Sequence, residues 1–135
     1  MEIGDNMKNK FLLLLLAFFS IMIFGCKPKE IEKKEVSFEL YKPKITASTL
    51  IQGKHPSLGI YFDASVAPID YKEQNIASFI TISPEIKGEW AWVNDSHLVF
   101  MPAESWKLNT KYKISFTDNL LSSNVVCSWK SDSFK

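Results

Sequence analysis

The chain has 135 residues, with 16 basic and 15 acidic side chains and a formal charge of +1. So near a balance sets up no strong field for nucleic acid or an acidic substrate. Two cysteines exclude a disulfide-rich scaffold.

The first element is an apolar run from Phe11 to Gly25, fifteen residues long and followed by Cys26. Lys8 and Lys10 stand before it, and Lys27, Pro28, Lys29 and Glu30 follow. A charged start, a short apolar stretch and a small residue at the cut describe a secretory signal. The run is short for a spanning helix, which wants about 20 apolar residues. Glu2 and Asp5 do not suit a basic signal start, so translation is expected to begin at Met7. The segment Ile23, Phe24, Gly25, Cys26 resembles the bacterial lipobox, with Phe24 bulkier than usual there. That resemblance implies cleavage before Cys26 and acylation of its thiol and new amino group. The alternative is a signal anchor with an incidental cysteine. The expected organisation is a signal over 1–25, a lipidated cysteine and charged tether over 26–35, and one domain over 36–135. With Cys26 carrying lipid, Cys127 has no partner in the chain. It reads as a small buried hydrophobe, since Val125, Cys127 and Trp129 share one side of a two-residue period.

Short segments that alternate apolar and polar residues follow, with turn residues between them. They are Val36 to Leu40, Ile45 to Ile51, Leu58 to Phe62, Phe79 to Ser83, Glu89 to Val93, His97 to Met101, Lys111 to Thr117, and the stretch Asn124 to Phe134. Residues 70–78 have room for a short helical turn. Seven or eight strands at this spacing predict an all-β fold, an antiparallel immunoglobulin-like or fibronectin type III-like sandwich. In the hairpin across Asn94, Asp95 and Ser96, the residues Trp90, Trp92, Leu98 and Phe100 point inward together. Ala91, Val93, Val99 and Met101 then form an apolar outer face. Such a face is either partly buried or a contact patch, although a few exposed aliphatics are ordinary.

The stretch Ile60 to Pro68 has the look of a strand leading into a polar turn, as in many bacterial Ig-like repeats. It is followed by Ile82 to Trp92, Leu98 to Pro102 and Leu108 to Ile114. This order, over residues 57–134, resembles the amino-terminal, fibronectin type III-like macroglobulin domain of bacterial alpha-2-macroglobulin-like lipoproteins. In a sandwich of that kind Pro84 ends a strand and Gly88 allows a close turn. Trp90 or Trp92 fills the core beside Phe100, and Tyr112 forms a tyrosine corner. Full-length members of the family are protease traps with a bait region, many with a Cys-x-Glu-Gln thioester. Cys26 precedes Lys27, Pro28 and Lys29, and Cys127 precedes Ser128, Trp129 and Lys130, so the thioester pattern is absent. The expectation is the truncated head of such a trap, or a free-standing Ig-like surface lipoprotein in adhesion or envelope assembly.

The sequence offers no case for an enzyme. His55 and His97 lack a second ligand at metal spacing. No phosphate loop or nucleophile elbow is present. Asp63, Asp70, Glu85 and Glu89 are scattered. Lys27, Lys29, Lys33 and Lys34 interleave with Glu30, Glu32 and Glu35, so little headgroup attraction is expected. The expected partners are a membrane through the lipid on Cys26, and further macroglobulin domains or another envelope protein. Neither nucleic acid, metal, small-molecule substrate nor any cofactor beyond the covalent lipid is expected. The expected place is the bacterial envelope, at the outer rather than the inner membrane.

Overall fold

The computed structural model describes residues 27–135 together with Lys10 and Leu14. The chain groups into Met1–Ile31 and Glu32–Lys135. In the first unit Lys10 and Leu14 are helical and 27–31 are irregular. Cys26 and the lipobox residues Ile23, Phe24 and Gly25 lie outside the described residues. Among the described residues no helix is long and apolar enough to cross a membrane.

All the strands described lie in the second unit. They are β1 (Lys34–Val36), β2 (Phe38–Tyr41), β3 (Leu58–Phe62), β4 (Ile80–Ser83), β5 (Gly88–Asn94), β6 (His97–Pro102), β7 (Tyr112–Phe116), β8 (Val125–Cys127) and β9 (Ser131–Phe134). One helix, α1 (Ala47–Ile51), lies between β2 and β3, and 3₁₀ turns cover Ile76–Ser78 and Asp118–Leu120. Four strands form one antiparallel sheet in the order β2-β3-β6-β5, and three form a second in the order β4-β7-β9. β1 and β8 pair in parallel, with Lys34 opposite Val125 and Val36 opposite Cys127.

The register defines two poles. At one pole β1 begins, where the Lys34 N–H donates to the Asn124 carbonyl at 2.9 Å. The β3–β4, β5–β6 and β7–β8 connections gather there: Asp95 O accepts from Val66 and Ala67 N–H, and Val66 O accepts from Ser122 N–H. At the other pole lie α1 and the β4–β5 and β6–β7 loops, tied by Ala103 N–H to Lys87 O at 2.8 Å. β9 ends at that second pole, with Phe134 opposite Tyr112.

Alternation explains the core. Tyr112, Ile114 and Phe116 turn inward from β7, while Leu98 and Phe100 do so from β6. Leu58, Ile60 and Phe62 come from β3, and all eight are buried. Across the sheets Phe38 and Phe62 both pack edge-on against Phe116, with centroids at 5.3 and 6.0 Å.

Several expectations need correction. Ile45 to Ile51 is not a strand. The Thr46 hydroxyl caps the Thr49 N–H and the Thr49 hydroxyl returns to Thr46, so a capping box starts α1. The tether is shorter than expected, since Lys34 and Glu35 already belong to β1. The final stretch is two strands, because the chain leaves β8 at Ser128 and resumes pairing at Ser131. That break turns Trp129 outward, 81% exposed, while Val125 and Cys127 are buried. Gly88 is the first residue of β5. A Cβ there would stand 2.4 Å from Phe100 Cζ and 2.5 Å from Met101 O, so its role is close packing.

Candidate functional site

The outer face of the four-stranded sheet is the first candidate. Val99 stands opposite Ala91 on β5 and opposite Gly59 on β3, and Met101 stands opposite Glu89. Ala91, Val99 and Met101 therefore share this face, the first two half-buried and Met101 exposed. Val93 is exposed but sits within a break in register between Trp92 and Asn94, at the hairpin's end. Pairing adds residues that single-strand alternation cannot find. Tyr41 stands opposite Gly59, and Tyr61 opposite His97. Tyr61 and His97 stack at 3.8 Å, and Tyr41 meets Tyr61 edge-on at 6.4 Å. Partial burial holds the His97 imidazole below its usual pKa.

The inner face of the same hairpin is structural. Trp90 and Trp92 pack against the core but are only half-buried. Trp92 Nε1–H donates to Gln74 Oε1 at 3.2 Å, and Gln74 Nε2 donates to Asn119 O at 3.0 Å. Trp92 thus clamps the connections of the first pole. The enclosed tryptophan is Trp106, 1% exposed, which the sequence reading missed. It lies in the β6–β7 loop, where no alternation marks it. Its Nε1–H donates to Pro56 O at 2.7 Å, and its ring meets Tyr112 and Phe134 edge-on at 5.0 and 5.3 Å. Buried Tyr112 accepts the Lys107 N–H at its hydroxyl, 3.0 Å away.

A cavity of about 560 Å³ opens where β1, β2 and the β8–β9 connection meet. Glu35, Asp63, Asp132, Cys127 and Trp129 line it. Its polar groups serve the fold. Asp63 accepts from the Ser37 hydroxyl at 2.8 Å and the Ser37 N–H at 3.0 Å, which holds its carboxyl below the ordinary range. Glu35 accepts from the Ser128 hydroxyl. The Cys127 thiol donates to Trp129 O at 2.9 Å, and burial pushes its pKa up, away from the reactive thiolate. Among the described residues no three His, Cys, Asp or Glu side chains gather as metal ligands.

Sheets ordered β2-β3-β6-β5 and β4-β7-β9, joined by a tyrosine at the start of β7, reproduce the A-B-E-D and C-F-G arrangement of a constant-type immunoglobulin sandwich. The class is thus an immunoglobulin-like β-sandwich domain. The family model described as "Bacterial Ig domain" matches residues 30–119, and the chain belongs to that family. It is related to bacterial alpha-2-macroglobulins. It is 28% identical to the alpha-2-macroglobulin homolog of Yersinia pestis over 84% of this chain and 6% of that protein. It is 26% identical to the alpha-2-macroglobulin of Pasteurella multocida, strain Pm70, over 76% of this chain and 5% of that protein. The chain therefore spans a small fraction of the length of these relatives.

Proposed function

We propose that the chain is a lipid-anchored, non-enzymatic Ig-like module of the bacterial envelope, the head of an alpha-2-macroglobulin-like defence protein. The observation that carries this reading is the similarity to the Yersinia pestis protein across 84% of the chain. Cys26 is the membrane attachment point, acylated after export, at the outer rather than the inner membrane. Several acyl chains on one residue hold firmly where one alone binds marginally. The outer face around Val99 receives a neighbouring macroglobulin domain or another envelope protein. Protease capture belongs to other domains, since the chain carries no Cys-x-Glu-Gln thioester.

Labelled fatty acid fed to expressing bacteria tests the anchor. The native chain should incorporate label and Cys26→Ser should not; equal labelling overturns the anchor. Added to a protease in solution, the full chain should leave hydrolysis unchanged. Stoichiometric inhibition would overturn the non-inhibitory assignment. Sequencing the DNA that follows codon 135 tests the head assignment, which requires further macroglobulin domains in frame.

A further inference from the structure

Ile69 is the most exposed large apolar side chain among the described residues, at 104% of its reference area. It sits in the β3–β4 connection at the pole where β1 begins. Lys33, the residue before β1, lines the same surface depression as Pro68, Ile69 and Ser122. Asp95 O accepts from the N–H groups of Val66 and Ala67 at 2.8 and 2.9 Å. Those bonds draw the β5–β6 turn to this pole, and with it Val93, 60% exposed. Two aliphatic side chains therefore project at one pole, Ile69 from the β3–β4 connection and Val93 from the end of β5, where water is a poor partner for them.

The length of chain before β1 indicates what meets them. Seven residues, Lys27 to Lys33, separate Cys26 from β1. Fully extended, they reach roughly 25 Å. With Cys26 acylated, this pole is held within that distance of the acyl chains. Lys33 shares its depression with Asp70 and Asp118, so net positive charge does not draw this surface to headgroups, and the apolar contact falls to the projecting side chains. We propose that the pole bearing Ile69 and Val93 rests on the lipid bilayer, with the Ile69 side chain in the boundary between headgroups and acyl chains. This inference rests on the acylation of Cys26 proposed above.

Ile51 supplies an internal control. It is 86% exposed on α1, at the opposite pole. The full chain, produced with its native export signal, would be reconstituted into bilayers of phosphatidylethanolamine and phosphatidylglycerol doped with a headgroup-spin-labelled lipid. Backbone amide relaxation at Ile69 and Val93 should be enhanced severalfold over that at Ile51. In Ile69→Asp the enhancement at Val93 should fall to the Ile51 level. Mass spectrometry of the same sample separates the two readings. Absence of lipid on Cys26 removes the tether and overturns both. Lipid on Cys26 with equal relaxation at the two poles overturns the bilayer contact alone. Enhancement at Val93 that persists in Ile69→Asp overturns the role assigned to Ile69.

Discussion

The Tyr112 hydroxyl accepts the backbone N–H of Lys107, five residues upstream, at 3.0 Å. This bond folds the β6–β7 connection back onto the strand that it feeds, and so pins the crossing between the two sheets. Tyr112→Phe keeps the ring and leaves the Lys107 N–H without its partner. We expect a loss of about 1–3 kcal/mol. Lys113→Ala, on the exposed side of the same strand, should cost under about 0.5 kcal/mol. Coincident denaturant midpoints for the two variants would show that the bond contributes nothing.

Trp106 anchors the second pole through both its ring contacts and its bond to Pro56 O. Trp106→Ala should cost about 3–5 kcal/mol, the range for a large aromatic removed from a core. Trp90→Ala, at a half-buried site, should cost less. Urea titrations of the two variants rank them, and the reverse order would move the centre of packing to the β5–β6 hairpin.

Asp63 links the fold to acid. The Ser37 hydroxyl and N–H favour its carboxylate, so its folded pKa lies below the unfolded one. The contribution is present above the unfolded pKa and is lost as pH falls through the folded value. Ser37→Ala removes the hydroxyl donor. Its stability should therefore fall less steeply than the native protein's between about pH 5 and about pH 2. Parallel acid limbs in the two proteins would remove this role from the Ser37–Asp63 pair.

Val99 tests the outer sheet face. It lies between Gly59 and Ala91 in the register, half-buried and pointing away from the core. A lysine there can lay its methylenes on the sheet and carry its ammonium into water. Val99→Lys should shift stability by no more than about 1 kcal/mol and should reduce any self-association seen by sedimentation. Unfolding of the variant would place Val99 in the core.

Where strands alternate cleanly, the sequence was legible: β3, β4, β7 and the β5–β6 hairpin lie close to their expected places. The misses share a cause, which is that the deciding contacts are not periodic. Thr46 and Thr49 satisfy the backbone locally, and that bond outweighs the β-branched composition of Ile45 to Ile51. Trp106 lies in a loop and is buried by residues far away in sequence, Pro56 and Phe134 among them. The Tyr41, Tyr61 and His97 cluster depends on which residues oppose one another across β2, β3 and β6, and alternation within one strand does not carry that register. On the candidate face, Ala91, Val99 and Met101 could be grouped from one hairpin, whereas the aromatic part required the pairing of a third and a fourth strand.

The parallel pairing of β1 with β8 has a mechanical consequence. β1 begins at one pole, while the strand that follows β8 ends at the other. A pull applied between Lys34 and Phe134 runs along the β1–β8 seam, lengthwise to the strands. The bonds between Lys34–Val36 and Val125–Cys127 then carry tension together, and none can open first as the teeth of a zip do. Held at its amino-terminal side and drawn from its carboxy-terminal side, the sandwich resists at this three-residue seam by shear.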